Sequence, residues 1–263
     1  MRLTVIGCAG SFPGPDSPAS CYLLEAPYGG GMFRLVIDLG NGALGGLQRV
    51  IELRDINAVA LSHLHADHCL DMCGFYVVRK YHPDGAFEPI PVFAPAGAGT
   101  YLSTAYGEGD GFGITEQFDF HEWNEAEPLQ IGPFTVTVFQ VDHPVAAYAI
   151  KVTDGTSTLV YSGDTGPTEV LARMVESADV FLCEASFVES ADNPPNLHLT
   201  GAEAGAYAAR GGVGRLLITH IPAWTDRGEV MRDVKSTWGG CVELVTAGSV
   251  FDIWPTRPDP WEA

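Results

Sequence analysis

A short apolar segment, Ile56 to Leu61, runs directly into Ser62-His63-Leu64-His65-Ala66-Asp67-His68, and no other feature so narrows what this chain can fold into. Three imidazoles and a carboxylate, the ligand types that zinc and its first-row neighbours prefer, fall within six residues. In extended backbone, residues two apart point the same way, so His63 and His65 can hold one ion together. Asp67 and His68 lie past the turn and aim elsewhere, which suits a second ion beside the first.

The 263 residues are 46% hydrophobic, ample for a core. No linker-like shift in composition divides them, so residues 1–263 read as one domain. The six cysteines form neither a disulfide framework nor a Cys-x-x-Cys clip. Cys69 and Cys73, on a predicted helix, read as small buried hydrophobes. No charged-then-apolar leader precedes the first strand, and no apolar run reaches the ~18 residues of a membrane span. A reduced, cytoplasmic setting away from membranes is therefore expected. The formal charge is −19, with only 14 Lys and Arg, and those scattered. That balance opposes binding of a long nucleic-acid backbone, which needs cations aligned on one face. Small anions stay compatible, because bound metals dominate the potential at short range.

Leu3 to Gly7, Cys21 to Leu24 and Leu35 to Asp38 read as strands, with turn residues at Tyr28 to Gly31. Gly42 to Leu53 carries apolar residues at helical spacing. Asp67 to Tyr81 is predicted as a helix, stopped by His82-Pro83-Asp84-Gly85. Pro91 to Phe93 is a further strand. The Gly-rich stretch Gly97 to Gly113, around Tyr101 and Tyr106, reads either as a lid or as a mobile loop. The second half repeats the pattern. Strands are expected at Phe134 to Val141, Tyr148 to Val152, Thr158 to Tyr161, Val180 to Cys183 and Leu216 to Thr219, with helices at Thr168 to Ser177 and Ala202 to Arg210. Thr200-Gly201-Ala202-Glu203 fits a capping box, and Gly211-Gly212 supplies the stop. Strands with their own helices in both halves predict two mixed sheets face to face with helices outside, an α/β fold of αββα sandwich type.

Four further residues follow predicted strands: His143, Asp164, Glu184 and His220. Carboxyl ends of strands gather sites, because loops converge there while the sheet holds them rigid. Gly163 lets the backbone turn sharply and present Asp164. Two metals roughly 3.5–4 Å apart need a shared ligand, and a carboxylate with two oxygens suits. The expected arrangement gives one ion His63, His65 and His143, the other Asp67, His68 and His220, with Asp164 bridging. A bridging water or hydroxide can complete both shells and act as nucleophile. His82 and His121 read as surface residues.

These residues carry a resemblance. Strand-His63-x-His65-x-Asp67-His68, then His143, Ser162-Gly163-Asp164 and a late strand-His220 are similar, in order, to the metallo-β-lactamase superfamily of dinuclear hydrolases. The likeness runs from Leu3 to about Trp254 and implies the same αββα sandwich. Asp38, in Ile37-Asp38-Leu39-Gly40, matches that family's early aspartate, which orients a metal-binding His. Without the family it is a turn residue ending a strand. Cys183-Glu184-Ala185-Ser186-Phe187 and His198-Leu199-Thr200 resemble the ribonuclease-Z-like phosphodiesterase branch. By that resemblance His198 donates a proton to, or stabilises, a phosphoryl oxygen, and Glu184 holds its far nitrogen. With the ligand Asp67, these two form the expected catalytic set.

Ribonuclease Z activity itself fits poorly. Those enzymes carry a long basic, Gly/Pro-rich arm between the ligands that match His143 and Asp164, whereas Pro144 to Gly163 is only twenty residues here. Several phrases instead resemble the actinobacterial cyclic-AMP phosphodiesterases of this fold. They include Gly14-Pro15-Asp16-Ser17-Pro18-Ala19-Ser20, Arg79-Lys80-Tyr81-His82-Pro83, Tyr161-Ser162-Gly163-Asp164-Thr165-Gly166 and Thr219-His220-Ile221-Pro222 with Trp224. The resemblance implies hydrolysis of small phosphodiesters, 3′,5′-cAMP to 5′-AMP first. Two divalent ions would serve, zinc by default, with Mn or Fe(II) compatible with the same N/O donors. Relatives of the branch commonly dimerise, so a homodimer is compatible. Phe12 and Trp224 lie on loops expected to border the metals, as stacking platforms for a purine or as core packing. Other readings share the pattern. A hydrolase of 2′,3′-cyclic nucleotides or cyclic ribose phosphates keeps every residue named. A carboxylic-ester, thioester or lactam hydrolase keeps the ligands without needing Glu184–His198, and a metal-binding regulator needs no catalysis.

Overall fold

The computed structural model describes residues 1–108 and 113–256. β1 (Arg2–Gly7) pairs antiparallel with β2 (Cys21–Tyr28), and β2 with β3 (Gly31–Ile37). Gly29 and Gly30 make the β2–β3 turn at φ 58° and 85°, which glycine adopts without a Cβ penalty. β4 (Ala58–Ala60), β5 (Ile90–Ala94) and β6 (Phe118–Glu122) then add in parallel. The outer layer on this side holds α1 (Ala43–Leu47), α2 (Ala66–Cys69), α3 (Met72–Tyr81) and α4 (Ala98–Tyr106).

The second sheet begins antiparallel with β7 (Leu129–Ile131), β8 (Phe134–Gln140), β9 (Tyr148–Thr153) and β10 (Thr158–Tyr161). It continues in parallel through β11 (Val180–Glu184), β12 (Arg215–Thr219) and β13 (Cys241–Leu244). α5 (Glu169–Met174), α6 (Gly201–Gly211) and α7 (Arg227–Thr237) cover its outer face. β14 (Val250–Asp252) returns to pair with β1, so each sheet has seven strands among the described residues.

Alternation explains the layering, because successive strand residues point to opposite faces. Leu24, Leu35 and Ile37 meet Phe134, Ile150 and Leu182 between the sheets. Leu23 and Val36 face outward onto Met72, Phe75 and Leu102. Val160, Phe181 and Ile218 do the same against Leu171, Ala204 and Val230. The result is the expected αββα sandwich.

Three local expectations need correction. The helix read over Gly42 to Leu53 spans only Ala43–Leu47; Gly45 and Gly46 weaken its body. The helix over Asp67 to Tyr81 is interrupted after Cys69, where Asp71 turns to tertiary bonds. Its N–H donates to the Leu39 carbonyl at 3.1 Å, and its carboxylate accepts from Leu44 N–H at 2.8 Å. Most of the Gly97 to Gly113 stretch is not a loop but α4, bracketed by Gly97 and Gly107 at φ 79° and 96°; residues 109–112 lie outside the described ones. Among elements the sequence did not announce, α7 buries only Val230 and Val234. Its readable signal was the Asp226 cap, which accepts from Glu229 N–H. No described helix is long and apolar enough to cross a membrane. All six cysteines are free.

Candidate metal centre

The site lies where strands of both sheets end. Beyond β4, Ser62 and His63 enter the His-rich loop, and His65 stands at the start of α2, which carries Asp67 and His68. Asp38, following β3, clamps this loop. It is fully buried in left-handed backbone at φ 56°, a conformation that a non-glycine residue rarely holds away from a functional constraint. Its carboxylate accepts from Ser62 N–H at 2.7 Å, Ser62 Oγ at 2.8 Å, Tyr161 Oη at 2.8 Å and His68 Nδ1 at 2.7 Å. Four donors on one buried carboxylate fix both its orientation and the ring of His68.

The second sheet supplies single residues from separate loops. His143 follows β8, and its Nδ1–H donates to the Leu197 carbonyl at 3.0 Å. Asp164 follows β10 through Gly163, whose φ is 59° and where a Cβ would stand 2.8 Å from the Tyr148 carbonyl oxygen. Glycine is required on both counts. His220 follows β12, also in left-handed backbone at φ 55°. Gly10 lies against it so closely that a Cβ would come within 2.3 Å of the His220 carbonyl oxygen.

Two groups of donors result. Ligand atoms of His63, His65 and His143 lie within 4.8 Å of one another, as do those of Asp67, His68, Asp164 and His220. Asp164 stands between the groups, with Oδ2 3.7 Å from His63 Nε2 and 3.3 Å from His220 Nε2, and Oδ1 3.3 Å from His68 Nε2. The structure therefore brings together every residue expected to ligate. His82 pairs loosely with Asp84 and exposed His121 with Asp119, outside either group.

The donor chemistry fits two divalent cations. His68 and His143 each place Nδ1–H on an acceptor, so each turns its Nε2 lone pair inward. By that tautomer His143 Nε2 is an acceptor, and it lies 3.2 Å from His65 Nδ1. Asp164 Oδ1 is buried and makes no hydrogen bond among the described residues, although His68 Nε2 lies near. A buried acceptor among lone pairs is costly unless positive charge completes it. Burial holds His63, His65 and His143 below the ordinary imidazole range, against the pull of Asp164. Burial also opposes charge on Asp164 and Asp67, but the imidazoles beside them outweigh it and keep both carboxyls ionised well below their usual range. At His68 burial is outweighed by Asp164 and Asp38, which pull its pKa well above the ordinary value. These carboxylates demand positive charge at the centre of the cluster, and metal cations meet that demand.

Beside the two groups lies a hydrogen-bonded chain. His198 Nδ1 is 3.0 Å from Glu184 Oε1, and Glu184 is fully buried. Ser186 Oγ donates to Glu184 Oε2 at 3.0 Å and lies 2.8 Å from His220 Nδ1. Ser186 thus joins His220 to the Glu184–His198 pair. Sequence reasoning gave it no role, although it stood in the Cys183-to-Phe187 phrase two residues beyond Glu184. Glu184 is close enough to His198 and His220 to form a third ligand trio. Its oxygens, however, already accept from Thr165 N–H, Ser186 and His198, so it acts as a holder of the imidazole. Burial lowers the pKa of His198, but the charge and hydrogen bond of Glu184, with Asp164 behind, push it up to about 9.

Comparison with known proteins agrees with this geometry. Residues 34–221 match the family model described as a beta-lactamase superfamily domain. An uncharacterized protein of Mycobacterium tuberculosis is 44% identical over 257 residues, covering 96% of this chain and 92% of that one. The crystal structure of the metallo-beta-lactamase fold protein YhfI from Bacillus subtilis superposes with a TM-score of 0.84 at 28% identity, over 95% of this chain and 98% of that one. A ribonuclease Z of Mycobacterium bovis is 27% identical, over 85% of this chain and 87% of that one. With the matched span, the sandwich and the two ligand groups in agreement, this chain belongs to the metallo-β-lactamase superfamily of metal-dependent hydrolases.

Proposed function

We propose that the protein is a dinuclear phosphodiesterase of small cyclic nucleotides, converting 3′,5′-cAMP to 5′-AMP. The observation that carries this reading is the Glu184–His198 pair at 3.0 Å, set beside the ligand groups with His198 pushed up to about 9. Such a histidine, holding its proton against Glu184, can serve as the general acid for a leaving alkoxide. Carboxylic-ester or lactam hydrolysis makes no comparable demand for a separate buried dyad. The ribonuclease Z relative supports phosphodiester chemistry. The charge of −19 and the twenty-residue interval from Pro144 to Gly163 favour a small substrate over a long nucleic acid.

In this reading His63, His65 and His143 would hold one ion, Asp67, His68 and His220 the other, and Asp164 would be available to both. When bound, the two ions, zinc by default with Mn or Fe(II) compatible, supply Lewis-acid polarisation of the phosphoryl oxygens and lower the pKa of the attacking water. The remaining work falls to the chain. His198 keeps its proton on Nε2 for transfer to the 3′ oxygen as the P–O3′ bond breaks and the water oxygen bonds to phosphorus. Glu184 Oε1 fixes the Nδ1–H tautomer and stabilises the imidazolium. Asp67 adds an anionic acceptor that orients the attacking water, and Asp38 holds the His68 ring.

The test is an assay of the metal-replete protein on 3′,5′-cAMP, 2′,3′-cAMP, bis(p-nitrophenyl) phosphate and a thioester. Turnover of 3′,5′-cAMP to 5′-AMP is the expected result. Preference for 2′,3′-cAMP would move the reading to other small cyclic diesters, and activity on the thioester alone would sink it.

A further inference from the structure

A cavity of about 550 Å³ opens beside the metal groups and includes His198 in its lining. Its volume suits a small ligand. Phe187 stands edge-on to His198 with ring centroids 5.2 Å apart and also lines the cavity. On the lining too is Trp224, which is 74% exposed although its indole is a large apolar surface. One flank of that indole rests against Phe12, with centroids 4.5 Å apart. Ser11, next to Phe12, places its N–H 3.4 Å from His220 Nε2, which ties this platform to the ligand cluster. An exposed, propped aromatic at the mouth of a reaction site is the arrangement on which a flat ring stacks.

The charge of the cavity narrows the occupant. Asp226 and Glu229 line it, and among the described lining residues there is no lysine or arginine. Arg232, 3.2 Å from Glu229, offsets only one of the two carboxylates, so a second phosphate there would meet net like charge. An uncharged ring carrying amino hydrogens would meet acceptors.

We infer that this cavity is a base subsite, in which Trp224 stacks the amino-bearing purine of a cyclic mononucleotide whose phosphate lies at His198. The inference rests on the phosphodiesterase reading above and adds what the diester must carry. Dinucleotides and oligonucleotides, which would bring further phosphates toward Asp226 and Glu229, are disfavoured.

Trp224→Ala and Trp224→Phe test it through two independent readouts. The first is the ratio of kcat/KM for 3′,5′-cAMP to that for its base-free counterpart, methyl riboside 3′,5′-cyclic phosphate. The ratio should fall roughly 10-fold in Trp224→Ala, through KM, and recover in Trp224→Phe, since stacking on an aromatic tolerates the change of ring. The second is binding of adenosine, which has no phosphate, followed by saturation-transfer NMR; the signal should be lost in Trp224→Ala. An unchanged ratio, or adenosine binding indifferent to Trp224→Ala, overturns the subsite. If the parent binds adenosine through Trp224 yet hydrolyses no phosphodiester, the subsite stands and the proposed reaction falls. If the parent neither binds adenosine nor hydrolyses a diester, both fall.

Discussion

The two sheets contribute to the site in opposite ways. The first supplies one loop, His63 to His68, carrying four ligands and clamped from beneath by the single carboxylate of Asp38. The second supplies His143, Asp164, Glu184, His198 and His220 from the four connections that follow β8, β10, β11 and β12, cross-linked by Ser186. A contiguous loop can grip metal wherever a strand presents it. The dispersed residues acquire their meaning only from convergence, and they are the ones that shape a reaction. The expectation is that damage to a ligand from either sheet removes metal, whereas damage to the Glu184–His198 pair alone removes chemistry.

Asp164→Ala should have the largest effect, because that carboxylate faces both groups. Metal analysis should find fewer than two ions per chain, and turnover should fall about 10³-fold or more, since several kcal/mol of charge stabilisation go with the shared ligand. A variant that keeps both ions and its rate would break the comparison outright.

His198→Ala comes next, with an expected loss of about 10²–10⁴-fold in kcat at unchanged metal content. The pH profile sharpens this. A raised imidazole pKa keeps the proton below it and releases it above, so the parent should lose activity on the alkaline side at or below about pH 9, bound cations opposing the proton. That limb should vanish in the variant. Loss of metal from His198→Ala would mean that the Glu184–His198 pair is not separable from the grip.

Asp38→Asn should weaken metal affinity by about 10- to 100-fold in a chelator competition while the fold persists. Ser186→Ala should be the mildest. It leaves Glu184 and His220 each short of a partner, at a cost of about 1–3 kcal/mol in a urea titration, with a fall in kcat smaller than that of His198→Ala.

Much of this architecture was legible along the chain. The strands read at Val180 to Cys183 and Leu216 to Thr219 lie within one residue of β11 and β12 at their carboxyl ends, and the Thr200 capping box is present with both of its bonds. Apolar runs and caps are local signals. Where the reading failed, a non-local contact had decided. Asp71 interrupts a continuous helical pattern because Leu39 and Leu44 lie against it from a different element. Glycines that looked like loop in Gly97 to Gly107 are the two ends of α4, with Gly99 packed on the ring of Phe120. β7 and β14 are three residues each and take their strand character from the neighbours they pair with.

The site divides along the same line. Residue types, their order and the net charge set what this chain can bind: nitrogen and oxygen donors for two cations, in a protein too acidic to favour a long polyanion. Tertiary structure decided which lone pairs converge, that Asp164 lies between the two groups, that Ser186 links His220 to Glu184, and that Trp224 stays open beside His198. The physical reason is distance. Ligand chemistry resides in single side chains, whereas a 3 Å contact between residues more than a hundred positions apart exists only once two sheets have packed around their shared core.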